Sequence, residues 1–373
     1  MSFIAALERD DMFRVLVNTP QAQLGTPAAP YLGATILPER LMPDNAYRET
    51  AVRYMTTIAG WGTRYSPVQR RDVGEMYASF MVELGEQDIG ADFTSRDYDA
   101  LIQMLRDISG TPTFDNPAML EAANRIFQWA DIRLLRGVLD LNERDRWSCL
   151  IAATLVGYGS NGTSWTIEYA NPAGHRANAG GSWANPAYDP LDDIFAMNDL
   201  LISKGYTPNR MITSTPVLRA FQRNAKVVAR YGLPAYTVIP SGATISGAAH
   251  QLDVTNVNAG LQRDNLPPFE VYDRRYRDGT GLHRFIGDNN VILLSTTGRD
   301  ESIPIVGGQS YLPNTAGYFA VGRAAGQSSP GRVLRVTPYF NKPPRLEGEC
   351  WQTGLPVPTE PESIAVIKNI TTS

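Results

Sequence analysis

The feature that most constrains this chain is a pair of β-prone runs, residues 51–60 and 75–84, on either side of a polar, arginine-rich tip. This pattern predicts a long two-stranded hairpin. Two strands alone are only marginally stable in water, so a hairpin of this length needs a further surface, either its own domain or another subunit. The tip contains residue types that dominate the energy of protein interfaces, namely Trp61, Arg64, Tyr65, Arg70 and Arg71. We therefore predict that the tip contacts another subunit.

Residues 1–50 contain five prolines and show little helical or strand periodicity. They predict an extended arm interrupted by turns. Such an arm frays in an isolated monomer unless something holds it, and a neighbouring subunit is the expected support.

Helical periodicity begins after the predicted hairpin. A short amphipathic helix is predicted from Phe93 to a stop at Gly110. A long helix is predicted to start at Asn116, an N-cap followed by proline, and to run into the apolar residues after Arg144, with a kink at Gly137.

The second half of the chain mixes helices and strands. A hairpin or flap is predicted over residues 163–185, and helices are predicted over 190–205, 215–232 and 251–263. A strand lies between the first two of these helices, and beyond residue 235 the chain is mainly strand and loop, with glycine- and proline-rich turns and the 251–263 helix in between. The fold class is therefore α+β.

Charge excludes some classes of partner. The 34 lysines and arginines against 38 acidic residues give a net charge of −4, so no overall basic field exists to hold nucleic acid or an anionic membrane. Arginines on one flank of the long helix could still meet phosphates locally: Arg125, Arg133, Arg136, Arg144 and Arg146. A solvated helix face with local ion pairs is the alternative.

The residues offer little for catalysis or metal binding. Cys149 and Cys350 fit buried, inert thiols, and the histidines His175, His250 and His283 are far apart in sequence. Residues 157–162 match GxGxxG, but the predicted order of a helix before and a strand after is the reverse of a dinucleotide site. We predict no enzymatic activity, no cofactor and no metal.

The order of elements resembles that of tailed-phage major capsid proteins, specifically the lambda-like capsid protein E family. The segments that carry this resemblance are residues 93–101 (FTSRDYDAL), 209–221 (NRMITSTPVLRAF), 271–276 (VYDRRY), 285–294 (FIGDNNVILL), 341–344 (NKPP), 353–358 (TGLPVP) and 361–368 (PESIAVIK).

The resemblance implies five regions. They are an N-terminal arm (1–50), an extended hairpin loop (51–92), a peripheral domain with a long spine helix (93–187), an axial α/β domain (188–332) and a C-terminal return to the peripheral domain (333–373). It implies hexamers and pentamers of the chain that close into an icosahedral shell around double-stranded DNA, with Arg125, Arg133 and Arg136 as candidate DNA-facing residues.

The implied partners are a portal and a separate scaffold protein, and a decoration protein is left open. A separate scaffold is implied because the N-terminal arm is too short and too rich in proline to serve as one. No membrane partner is expected, because the longest uncharged apolar run is about half of the ~20 residues that span a bilayer. The implied location is the virion capsid, with assembly in the host cytoplasm. Two alternatives stay open at this point: an encapsulin-like compartment shell, and a β-rich hydrolase.

Overall fold

The computed structural model describes residues 31–55, 75–94, 97, 128–158, 164–232, 252–296, 302–306, 316–339 and 345–371. The α-helices in this part of the chain are α1 (Leu32–Ile36), α2 (Arg136–Ala152), α3 (Pro190–Ser203), α4 (Thr215–Arg223), α5 (Ala225–Tyr231) and α6 (Val254–Arg263). A π-helical segment (Asp131–Leu135) precedes α2, and a 3₁₀ turn (Pro361–Ser363) lies near the C-terminus.

The strands lie mostly in runs between and after these helices. In the first half they are β1 (Glu39–Leu41), β2 (Ala46–Met55), β3 (Glu75–Glu83), β4 (Gly85–Phe93), β5 (Thr154–Tyr158), β6 (Ser164–Glu168), β7 (Arg176–Asn178) and β8 (Arg210–Thr213). In the second half they are β9 (Phe269–Val271), β10 (Arg275–Arg277), β11 (Leu282–Arg284), β12 (Val291–Leu294), β13 (Ser302–Val306), β14 (Gly317–Val321), β15 (Val333–Tyr339), β16 (Arg345–Pro358) and β17 (Ile364–Lys368).

The central sheet has the strand order β7-β17-β12-β8-β9 and is covered on both faces. Met211 packs with α3 to α6 on one face, whereas its neighbour Ile212 packs with α1 and α2 on the other. Burial on both faces explains why β12 and most of β17 are uninterrupted apolar runs instead of alternating ones.

A second sheet has the order β1-β14-β16-β15. β4 also pairs with β16, on the side of β16 opposite β15. The helix α2 packs against β4 and β16. Gly137 makes this close approach possible, because a Cβ there would lie 2.6 Å from Cδ1 of Ile89 on β4. The predicted kink at Gly137 corresponds to the π-helical segment that ends two residues earlier.

The predicted start of the long helix, residues 116–127, lies outside the described residues. Of the predicted 93–110 helix, Phe93 instead ends β4, Thr94 is not helical, Asp97 is helical, and the other residues lie outside the described part of the chain.

The predicted hairpin is present, with different bounds. β2 begins at Ala46, five residues earlier than expected, and β13 adds a third strand to β2. The last part of the predicted extended arm is also more regular than expected, since it contains α1, β1 and the start of β2.

The expectation of a hairpin over residues 163–185 was wrong. β6 instead pairs back onto β5, so the hairpin spans residues 154–168, and β7 leaves it to pair with β17 in the central sheet. Consequently a strand precedes the GxGxxG match, but β6 follows it where a dinucleotide site requires a helix.

The predicted helix over residues 215–232 is two helices. The chain is extended at Asn224 (φ −65°, ψ 129°), which ends α4 and caps α5. The predicted helices at 190–205 and 251–263 are confirmed as α3 and α6.

Candidate functional site

The middle of α2 carries several polar side chains that are buried in the protein interior. Asn142, Glu143, Asp145 and Arg146 are all buried, although three of them carry a formal charge. Burial of charged groups is costly unless they are paired, so their partners determine what this part of the molecule does. We call the buried set Gln87, Asn142, Glu143, Asp145, Arg146 and Gln352 the α2 clamp.

Glu143 is the acceptor at the centre of the clamp. Its Oε1 accepts hydrogen bonds from the backbone N–H of Gly33 (2.8 Å), Nε1 of Trp147 (2.7 Å) and the hydroxyl of Tyr272 (2.9 Å). These donors come from α1, from α2 itself and from the loop after β9. Burial, followed by the charge of Glu143, raises the pKa of Tyr272 well above its ordinary range.

Arg146 completes the charge balance. Its guanidinium lies 3.6 Å from Glu143 and 3.5 Å from Glu39, and its Nε donates to the carbonyl of Leu37 at 3.0 Å. The guanidinium also stacks 4.7 Å from the ring centre of Phe319 on β14. The prediction that Arg146 belongs to a solvated arginine face was therefore wrong, because its side chain holds the segment 37–39 against α2 and the second sheet.

A neighbouring cluster of amide and carboxylate side chains joins β4 and β16 to the same helix. Asp145 accepts from Nε2 of Gln87 on β4 at 2.9 Å and from Arg144 at 3.0 Å. Gln352 on β16 donates to both Gln87 and Asn142. Burial raises the pKa of Asp145 to about 6, against the opposing effect of Arg144.

The contacts of the clamp are structural in kind. Its hydrogen bonds connect α1, β4, β16 and the loop after β9 to one helix, while within the described residues Nδ2 of Asn142 donates none and Oε2 of Glu143 accepts none. The π-helical segment and α2 therefore form a spine to which parts of the chain more than 100 residues apart are attached.

The sequence-predicted site residues are only partly within the described part of the chain. Trp61, Arg64, Tyr65, Arg70, Arg71 and Arg125 lie outside it. Arg133 and Arg136 are exposed near the start of the spine, and Arg136 forms an ion pair with Asp131 at 3.1 Å. Arg144 is tied to Asp145, so the predicted arginine flank is not a continuous exposed stripe within the described residues.

The candidate reactive groups are not gathered into one site. Cys149 and Cys350 are buried, and burial raises the pKa of both thiols, that of Cys350 to about 12. His175 is buried against the carbonyl of Ile364, whereas His283 is exposed beside Thr280 and Asp278. His250 is outside the described residues. Within the described ranges, no group of three or more metal-ligating side chains is present.

Comparison with known families decides the class of the protein. The family model for phage major capsid protein E matches residues 114–306, slightly more than half of the chain. The chain belongs to the phage major capsid protein E family. It is therefore a structural protein of a phage shell, and the matched region includes the whole spine and the four helices on the central sheet.

Solved structures agree on the fold. A protein assigned as a prophage capsid protein from E. coli CFT073 is 15% identical with a TM-score of 0.55, over 98% of this chain and 97% of that chain. A phage-related protein from Bordetella bronchiseptica RB50 is 15% identical with a TM-score of 0.51, over 94% of this chain and 95% of that chain. The SrpI encapsulin from Synechococcus elongatus PCC 7942 is more distant, at 14% identity over 98% of this chain and 97% of that chain, with a TM-score of 0.39. The chain has the α+β fold of tailed-phage capsid proteins.

No curated protein sequence matches the chain. Among the described residues, no helix combines the length and the apolar composition that crossing a bilayer requires.

The clamp residues of this capsid protein were not found from its sequence. Glu143 and Arg146 are three residues apart, a spacing that is also typical of an exposed ion pair on a helix. The sequence signal that could have found them is their helical spacing. Glu143 and Arg146 follow Leu139 by four and seven residues and therefore share its helix face, and Leu139 and Leu150 both belong to the buried core.

Proposed function

We propose that copies of this chain assemble as hexamers and pentamers that close into an icosahedral shell around double-stranded DNA. The observation that carries the proposal is the match of residues 114–306 to the phage major capsid protein E family. The buried attachments of the spine support it, because a shell protein must hold its shape while it forms contacts on several sides.

The hairpin is the proposed interlocking element. In the described residues, β2, β3 and β13 form a separate three-stranded sheet. We infer that the tip between β2 and β3, with Trp61, Arg64, Tyr65, Arg70 and Arg71, extends onto a neighbouring subunit. Trp, Tyr and Arg at such a tip are well suited to an interface and contribute little to a core.

Arg125, Arg133 and Arg136 are the proposed DNA-facing residues. Arg133 and Arg136 support this because both are exposed. Contact with phosphates would act by release of counterions and would need no base recognition. The partner Asp131 lies 3.1 Å from Arg136 and would compete with phosphate for it.

The remaining partners follow from the same assembly. A separate scaffold protein would direct curvature, a portal would occupy one vertex, and a decoration protein could bind the outer surface. Assembly in the host cytoplasm would precede DNA packaging.

The experiment that tests the proposal examines what purified shells contain. Shells from cells that produce the complete phage are treated with nuclease, opened with denaturant and analysed for nucleic acid and protein. We expect protected double-stranded DNA of packaged length. Shells that contain a folded enzyme and no DNA would instead favour a compartment of the encapsulin type.

A further inference from the structure

One helix that covers the central sheet carries a basic stripe. Arg219 and Arg223 lie one turn apart on α4, and both are exposed. Within the described part of the chain neither of them forms an ion pair, whereas Arg230 on α5 is paired with Asp264 at 3.1 Å. Asp253 lines the same surface groove as Arg219 but forms no ion pair with it.

The helix α3 carries an acidic stripe. Asp192 and Asp199 are seven residues apart on one helix face, are exposed, and have no cationic partner among the described residues. Asp193 belongs to a different face, because it accepts hydrogen bonds from Trp183 and Tyr188. Ile202, one turn after Asp199, has 54% of its surface exposed, so an apolar side chain accompanies the acidic stripe.

The two stripes lie toward opposite ends of the helix layer. α3 packs against β17 and α4 packs against β9, while α5 contacts both helices between them. In the strand order of the sheet, β9 is one edge and β17 is next to the other edge. Two different, complementary surfaces on one subunit are the requirement for a head-to-tail contact, which generates a ring when the rotation closes.

We propose that the basic stripe of one copy contacts the acidic stripe of the next copy around a ring of subunits. This inference rests on the proposed shell assembly and identifies a surface through which it occurs. A second copy of the chain is the partner because it accounts for both stripes at once. Nucleic acid would match only the basic stripe and would be repelled by the acidic one.

Charge reversal tests the contact in both directions. One variant combines Asp192→Lys with Asp199→Lys, and a second combines Arg219→Glu with Arg223→Glu. Each variant places like charges across the contact, so we expect the threshold concentration for shell assembly to rise about tenfold at low salt. The variant with all four changes restores opposite charges with reversed sign and is expected to assemble near the wild-type threshold.

Mixing the two reversal variants gives a sharper result. The contacts of the mixture are favourable only where the two variants alternate, which is possible around a ring of six but not around a ring of five. We therefore expect electron microscopy of the mixture to show hexamers and open sheets or tubes, and few closed shells. The fourfold variant should form closed shells.

Controls separate this inference from the proposed function. Circular dichroism and the melting temperature check that each variant is folded, and Arg275→Glu with Arg277→Glu repeats the change in net charge of the arginine variant at exposed positions outside the stripes. Wild-type-like assembly of either reversal variant, a folded fourfold variant that does not assemble, or an equal loss in the control would overturn the stripe contact while wild-type shells still form. If wild-type protein produced together with its scaffold protein forms no shells, the proposed function itself fails, and the stripe contact fails with it.

Discussion

At the scale of single residues, Glu143 is the group on which the α2 clamp depends most. It is fully buried and accepts three hydrogen bonds beside Arg146. Glu143→Gln removes the charge but keeps the size, which leaves the buried guanidinium with only the more exposed Glu39. We expect the free energy of unfolding to fall by about 3 kcal/mol. Urea denaturation of unassembled protein measures this change.

A matched control uses an exposed pair on the same spine. Asp131 and Arg136 are about half exposed, so water and salt screen their interaction. Asp131→Asn is expected to change the free energy of unfolding by less than about 1 kcal/mol. Equal effects of the two substitutions would contradict the central role of Glu143.

Asp145 gives the clamp a dependence on pH. Burial raises its pKa from 3.8 to about 6 in the folded protein, so the folded state binds this proton more tightly than the unfolded state does. Asp145 therefore increases the free energy of unfolding as pH decreases through 6 toward 4, and this contribution is absent above pH 6. Between pH 7 and pH 5 the wild type should gain about 1 kcal/mol relative to Asp145→Asn, which cannot titrate.

The groups around Asp145 set the limits of this effect. Arg144 and Gln87 stabilise the ionised form by donating to it, and Arg146 acts in the same direction by its charge. Unfolding curves of both proteins at several pH values measure the difference. A difference in stability that is the same at pH 5 and pH 7 would show that Asp145 has an ordinary pKa.

At the scale of elements, the break between α4 and α5 depends on Asn224. Its Nδ2 lies 3.0 Å from each of the carbonyl oxygens of Trp183, Asn185 and Tyr188, which share its two hydrogens, while its Oδ1 accepts from the N–H of Lys226. Asn224→Ala removes this donor from the carbonyls of the 183–188 loop and the cap from α5, and we expect a loss of about 2 kcal/mol in the free energy of unfolding.

Asn224→Asp separates the two roles of this side chain. Aspartate can still cap α5 but cannot donate, so most of the loss should persist in this variant. Asn256→Ala on the exposed face of α6 is the control and should be nearly neutral. Recovery of wild-type stability by the aspartate variant in thermal denaturation would indicate that capping, and not the attachment of the 183–188 loop, matters here.

Elements with local signals could be predicted from the sequence. α3 begins at Asp189 and Pro190, a cap and first-turn proline that are visible in one segment, and β12 is an uninterrupted apolar run between turns. The pairing of β7 with β17 joins segments about 190 residues apart, so no local pattern reports it. The burial of Arg146 depends in the same way on Glu39 and Phe319, which are distant in sequence.

At the scale of the whole molecule, the spine and the hairpin have different roles. The clamp attaches α1, β4 and β16 to α2, whereas β2, β3 and β13 form their own sheet. We therefore expect the fold to depend on the clamp and assembly to depend on the hairpin.

Replacement of residues 62–73 by a short Gly-Ser turn tests this separation. The truncated protein should be soluble with native-like circular dichroism, but analytical ultracentrifugation should detect no closed shells. Normal shells from this variant would contradict the interlocking hairpin. An aggregated, unfolded chain would show that the tip packs on its own domain.

The central claim is that copies of this chain form a closed shell. Electron microscopy of wild-type protein produced together with its scaffold protein tests this claim most directly. We predict isometric, closed particles in which the chain forms rings of six and rings of five. A preparation that contains only folded monomers or dimers would contradict it.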